Sequence, residues 1–272
     1  KTLTIKDSKT GGKIQNIAYR NDVVYGINIG AGVTVNIESG TIYCENTAQY
    51  AYGTSTYTDG TTNLTGMQAR AIQMAATSTV NVSGGKIHAV ASRNAFGIRE
   101  ESSAANSTTL NITGGEILGE APAYAYGIYA GGKVNISGGT VKALLNDKTV
   151  DGNTTYTANC WNDYTLHRYG YGIQMFASSS ATQASNYYGT LTITGGTISV
   201  TNVNKTLNTS NALQTEHTYG IYMNVSATGA GAGKTAPDGT KVMKACAIGS
   251  IENATINVTH TGVQDRKSTR LN

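Results

Sequence analysis

The 272 residues predict an all-β solenoid, a single column of short stacked strands. Three observations carry that prediction. A motif of the form Val-Asn-Ile-Ser-Gly-Gly-Xaa-Ile recurs along the chain, an aromatic-Gly-Ile element recurs downstream of it, and helical periodicity is lacking. Repetition at this scale marks an array in which each unit is too small to stand alone and buries its apolar face against its neighbours.

In chain order, the first copy is degenerate, Leu3-Thr4-Ile5 with Gly11-Gly12-Lys13-Ile14, and is followed by Tyr25-Gly26-Ile27. The second spans 35–42 with Ser39-Gly40 at its turn, and its downstream element is the looser Ala71-Ile72. Residues 80–87 precede Phe96-Gly97-Ile98, and 110–117 precede Tyr126-Gly127-Ile128. Residues 134–141 precede Tyr171-Gly172-Ile173, and 191–198 precede Tyr219-Gly220-Ile221. Ala247-Ile248 reads as a second loose downstream element, and 251–256 as a last degenerate copy with Asn253 in place of the first Gly.

Each copy alternates apolar residues with Asn, Thr or Ser, the period of a strand with one buried face. Val80, Val82, Leu110, Ile112, Val134 and Ile136 should point inward, and Asn81, Asn111 and Asn135 outward. The Gly pair then turns the chain, since glycine takes positive φ without a steric penalty. Asn253 is among the better substitutes there, whereas Ser39 fits less well and should mark a slightly different turn. By parity the aromatic and the Ile of the downstream element share a face, so both are expected inside.

Each rung thus offers three short strands, two flanking the Gly-Gly turn and one at the aromatic-Gly-Ile site. The architecture expected is a right-handed parallel β-helix of six to seven rungs carrying long loop insertions. The shortest rung, 110–133, has 24 residues, and at ~4.8 Å per rung the column would be about 30 Å tall. A sandwich or propeller is disfavoured, because Asp59-Gly60, Asp151-Gly152 and Asp238-Gly239, the hairpin-type pairs, all fall in irregular stretches.

Residues 1–264 read as this single domain, cut at both ends. Nothing at Lys1 resembles a start or a signal peptide, and neither end shows a capping rung. Residues 265–272 match the translation of GAT CGG AAG AGC ACA CGT CTG AAC, which resembles a short-read sequencing adapter, so this tail is expected to be non-native. Without it the net charge falls from +4 to +2, and the basic balance gives no argument for nucleic-acid binding. No run of 18 apolar residues exists to span a membrane.

Cys44, Cys160 and Cys246 are odd in number and show no Cys-x-x-Cys spacing, so isolated thiols are expected rather than a metal site or a disulfide framework. His88, His167, His217 and His260 make no metal spacing either, and no cofactor is implied. The sequons around Asn81, Asn111 and Asn135 follow from the repeat and carry no glycosylation reading.

Rung length varies at particular corners. Insertions fall between the second and third strands at 43–70, 142–170 and 199–218, and after the third strand at 176–190 and 224–244. Loops on a rigid scaffold are where binding residues collect. The insertion at 154–169 holds the only Trp together with several tyrosines and charged groups. Tyr156, Trp161, Asp163, Tyr164, His167, Arg168 and Tyr169 are therefore the candidate glycan contacts, since sugars pack on aromatic faces beside carboxylates and amides. The plain alternative is that these aromatics glue the loop to the column.

No catalytic residue is assigned. Polygalacturonase-type signatures (Asn-Xaa-Asp, Asp-Asp, Gly-His-Gly, Arg-Xaa-Lys) are absent, and the sixteen acids form no facing pair. Gly233-Lys234-Thr235 fails as a phosphate loop because Thr228 stands where the first Gly is required. The outward Thr/Asn columns suit an ice-binding face poorly, since rung length varies and Lys133 interrupts one column.

Asn-Ile-Ser-Gly-Gly-Xaa-Ile followed by Tyr-Gly-Ile resembles the pectin-lyase-like right-handed β-helix segments of bacterial surface proteins, those of gut bacteria in particular. The resemblance covers 1–264. It implies an extracellular or cell-surface protein whose column acts as an adhesin or stalk, with polysaccharide or surface glycans as partners. The alternative is a fragment of a polysaccharide lyase or glycoside hydrolase whose catalytic rungs lie outside this stretch or at its edge.

Overall fold

The computed structural model describes residues 1–9, 11–18, 22–46, 68–101, 107–146, 149–150, 154–155, 167–176, 189–203, 215–224 and 247–261. Its strands follow the repeat. Rung one holds β1 (Thr2–Ile5), β2 (Lys13–Ala18) and β3 (Val23–Ile29); rung two holds β4 (Thr34–Ile37), β5 (Thr41–Asn46) and β6 (Gln68–Met74). Rung three holds β7 (Thr79–Val82), β8 (Lys86–Ala91) and β9 (Asn94–Glu100); rung four holds β10 (Thr109–Ile112), β11 (Glu116–Ala121) and β12 (Tyr124–Ala130). In rung five, β13 (Lys133–Ile136) and β14 (Thr140–Leu145) precede a small antiparallel hairpin, β15 (Thr149–Val150) with β16 (Thr154–Thr155), and then β17 (His167–Phe176). Rung six holds β18 (Thr190–Ile193), β19 (Thr197–Val203) and β20 (Thr215–Asn224), and rung seven β21 (Ala247–Ile251) and β22 (Thr255–Thr261).

First, second and third strands of successive rungs pair in parallel into sheets of seven, seven and six strands, a right-handed parallel β-helix. Equivalent motif residues meet rung after rung: Leu110 faces Val80 below and Val134 above, and Ile117 faces Ile87 and Val141. Inside, Ile42, Ile87, Ile117, Val141 and Ile198 form one column, and Ile72, Ile98, Ile128 and Ile173 another, each at most 1% exposed. Each such side chain contributes about 1.5–3 kcal/mol through burial. Asn36, Asn81, Asn111 and Asn135 point outward as expected and join into a ladder, each amide donating to the next side-chain oxygen at 2.7–2.8 Å.

At the Gly-Gly corner the two glycines do different work. The second takes the left-handed backbone, as at Gly115 (φ 79°). The first has no room for a side chain, for a Cβ on Gly114 would lie 2.2 Å from the Ser83 carbonyl oxygen one rung away. This reverses one expectation. The Ser39 turn keeps the common geometry, with positive φ at Gly40, and Ser39 fits because the first rung turns more widely and its Oγ accepts from Asp7 N at 2.8 Å. The odd corner is the last one, where Asn253 at the first position carries the positive φ (50°) itself.

Two further expectations are corrected. Ala247-Ile248 belongs to β21 in the first sheet, pairing with Thr190 and Leu191, and is not a third-sheet strand. The aromatic and the Ile of the third strand also do not share a face. Gly127 drops out of the pairing on both sides, while Tyr126 pairs with Phe96 and Tyr171, and Ile128 with Ile98 and Ile173. A Cβ at Gly127 would strike Val141 Cγ1 at 2.6 Å, so Gly127 and Ile128 both face inward at a kink that every strand of the sheet shares in register. The aromatic is thereby turned out.

Candidate functional site: the outer face of the third sheet

With the alternation reset at each shared kink, the outer face of the third sheet carries three columns. The first runs Gln68, Asn94, Tyr124, Tyr169, His217; the second Tyr25, Arg70, Phe96, Tyr126, Tyr171, Tyr219; the third Asn28, Gln73, Arg99, Tyr129, Gln174, Tyr222. Rings in the second column lie nearly parallel, with centroids 4.5 Å apart for Phe96–Tyr126, 5.0 Å for Tyr126–Tyr171 and 5.5 Å for Tyr171–Tyr219. Tyr169 is stacked between Tyr124 and His217, each at 5.3 Å. Tyr129 stands edge-on to Phe96 and Tyr126 and stacks on Phe176 at 4.5 Å. Each ring pair adds about 0.5–1.5 kcal/mol beyond the area it buries.

Two arginines interrupt the aromatics. Arg70 takes the ring position in rung two, its guanidinium carbon 5.5 Å from the Tyr25 centroid and 6.0 Å from that of Phe96. It donates to Gln68 Oε1 (2.8 Å), Gln73 Oε1 (3.0 Å) and Tyr25 Oη (3.4 Å). Arg99 lies 5.2 Å from the Phe96 centroid and 5.5 Å from that of Tyr129. Burial, and then the charge of Arg99, brings the Arg70 guanidinium down to about 10, and burial lowers that of Arg99 as well. Burial pushes the Tyr126 and Tyr171 phenols well above the ordinary range, so both stay neutral O–H groups. Phe96, Tyr171, Gln73 and Gln174 are buried within this face, and because the rings spend their faces on one another, what reaches solvent is the edges and hydroxyls of the half-buried tyrosines and two half-buried cations. That suits hydrogen bonding to polyols and attraction of anions.

Of the residues expected to contact glycan, Tyr156, Trp161, Asp163 and Tyr164 lie outside the described residues. His167 and Arg168 begin β17, where their backbone pairs with Thr215 and Glu216. Tyr169 is the one placed by its ring, inside the aromatic stack rather than in a separate loop cluster. Sequence reasoning missed Arg70, Arg99, Tyr124 and Tyr129. The available signal was positional: Arg70 directly precedes Ala71-Ile72, and Arg99 and Tyr129 directly follow the Ile of their elements.

The second sheet carries the other polar cluster. His88 Nε2 lies 3.0 Å from Glu120 Oε2, Tyr43 meets the His88 ring edge-on, and the Tyr43 hydroxyl donates to Glu45. Glu116 bridges Lys86 (3.0 Å) and Lys142; burial raises its pKa, and the two ammonium groups more than reverse that. Cys44 is a buried free thiol, pushed up to about 12 by burial, with its Sγ donating to the Val24 carbonyl oxygen at 3.1 Å. Cys160 and Cys246 lie outside the described residues. Among the described residues no group of three His, Cys, Asp or Glu is placed to hold a metal ion, and no helix is long and apolar enough to cross a membrane. No protein-family model, no curated protein and no solved structure matches this chain.

Proposed function

We propose that this chain is the column of a cell-surface or secreted adhesin or stalk, non-catalytic in itself, which touches glycans with the outer face of its third sheet. The observation that carries this reading is the aromatic face itself. The sheet that bears it has six strands, with outward rings on every rung but the second, and the chain departs after β5, β14 and β19 at one edge of it and after β9, β17 and β20 at the other. Half-buried tyrosine hydroxyls at rung spacing offer hydrogen bonds to the hydroxyls of an extended polysaccharide, and the ring edges supply apolar contact. The side-chain ladders on the first and third sheets give the stiffness a stalk needs.

The test is binding of the purified chain to a panel of plant and mucosal polysaccharides, with Tyr222→Ala and Trp161→Ala alongside. Binding weakened by Tyr222→Ala supports the sheet face; binding weakened only by Trp161→Ala moves the contact to the insertion. No binding to any member of the panel sinks the glycan part. A second reading, a fragment of a polysaccharide-cleaving enzyme, draws on the His88–Glu120 pair beside Tyr43 and Glu45. Release of reducing or unsaturated sugar ends that stops in Glu120→Gln would favour it.

A further inference from the structure

We propose that Arg70 and Arg99 form a site for a tetrahedral oxyanion, a sulfate ester carried on a glycan, a specificity that rests on the glycan-contact reading above. The two residues occupy neighbouring rungs in adjacent outer columns of the third sheet. Arg99 leans on Phe96 and Tyr129, and its Nε is buried with no hydrogen-bond partner. The hydrogen bonds of Arg70 all go to neutral acceptors, Gln68, Gln73 and Tyr25. Among the described residues no carboxylate lies within ion-pair distance of either guanidinium, and Glu101 acts on both from farther away. Among the described residues, two half-buried cations one rung apart, held by ring faces and neutral oxygens, have no counter-charge in contact, which buried charges normally have.

Gln73 supplies the second, independent observation. It is fully buried, its Oε1 is committed to Arg70, and its Nε2 has no partner. Gln73 pairs directly with Arg99 across the sheet, so an unsatisfied amide donor stands beside an unsatisfied guanidinium. At Arg99 and Gln73 the unmet need is for acceptors, while Asn94 Oδ1 in the first column is itself an unpartnered acceptor. One carboxylate has about four lone-pair sites on two oxygens and a single guanidinium fork largely fills it. The Arg99 fork, the one N–H of Arg70 left over from Gln68, Gln73 and Tyr25, and the Gln73 amide suit the three free oxygens of a sulfate ester better. Nucleic acid fits poorly, for the ring faces are already stacked and offer bases no platform, and two cations do not make a phosphate-tracking stripe.

The experiment is calorimetric titration of the intact chain at constant ionic strength. Its probes are a sulfated oligosaccharide, its desulfated counterpart, a carboxylated oligosaccharide and single-stranded DNA, each against wild type, Arg99→Gln and Arg99→Lys. Inorganic sulfate is tested separately for a rise in the thermal midpoint. The sulfated form should bind roughly 10- to 100-fold tighter than the desulfated one. Arg99→Gln should abolish that preference and Arg99→Lys should lose most of it, because an ammonium lacks the fork; unchanged circular dichroism shows that the fold survives. Equal affinity for both forms, or a preference that survives Arg99→Gln, overturns the site while leaving glycan contact standing. A carboxylated probe that binds as tightly overturns the tetrahedral assignment, and tighter DNA binding overturns the glycan. Stabilisation by sulfate that is lost in Arg99→Gln, with no oligosaccharide bound, keeps the anion site and removes the glycan reading beneath it.

Discussion

The first and third sheets are built on the same rung-by-rung register, yet their outer faces differ. The first carries a near-uniform asparagine ladder, with the same side-chain amide hydrogen bond repeated from Asn36 to Asn135. The third carries tyrosines, phenylalanines, arginines and glutamines in changing order. The corners explain the contrast. The corner that leads out of the first sheet is closed by the Gly-Gly turn, where Gly114, Gly138 and Gly195 each lie against a carbonyl of the neighbouring rung. Both corners of the third sheet admit insertions. Where the chain has one permitted path the face repeats, and where the path is free the face diversifies and collects chemistry.

The sharpest way to break this comparison is Gly114→Val. It puts a side chain against the Ser83 carbonyl and should cost roughly 3 kcal/mol in chemical denaturation. A small effect there would mean that the closed corner does not enforce uniformity. Next comes Glu100, at the corner between the third and first sheets. Its buried carboxylate accepts from Gly131 N and from Gly132 N at 2.8 Å, yet burial, the dominant influence, raises its pKa to about 7. The protonated form is favoured in the folded state, so this group's stabilisation is complete below about pH 4.5 and is lost as pH rises through 7. Relative to wild type, Glu100→Gln should therefore gain stability with rising pH, by up to about 3 kcal/mol at pH 8, and thermal melts at pH 4.5 and 8 check the sign.

Tyr126→Ala removes a ring stacked on two others and should cost about 2 kcal/mol. Tyr126→Phe keeps the ring and should leave the denaturation midpoint nearly unchanged, which separates packing from any role of the hydroxyl. The smallest effect is expected on the first sheet. Asn111→Ala breaks two half-exposed ladder bonds and should cost about 1 kcal/mol, with no change in glycan binding. A binding defect in Asn111→Ala would erase the functional distinction between the two faces.

The column was legible because its causes are local. Alternation at Val80-Asn81-Val82 and the glycines at 84 and 85 fix strand and turn without reference to the rest of the chain. The third strand was placed well and oriented wrongly, since a two-residue period cannot reveal that Gly127 and Ile128 both face inward. That depends on the close approach of Gly127 to Val141, a contact between different sheets. The arginine pair was illegible for a related reason. Arg70 and Arg99 stand 29 positions apart in no motif, and only the pairing of β6 with β9 brings their rungs together.

One irregularity bears on how such a column behaves under tension. From rung one to rung six every first-sheet pairing keeps its register, but between rungs six and seven it slips at Leu191/Thr192, where Gly249 is the extra residue. A pull along the axis loads all the backbone bonds across one gap simultaneously, so the column resists as a whole until one gap gives way. Among the described residues the gap between rungs six and seven is bridged by two sheets where every earlier gap is bridged by three, and one of the two ladders is slipped. Stretching a single molecule should therefore open it there first, leaving the stacked aromatic rungs wound.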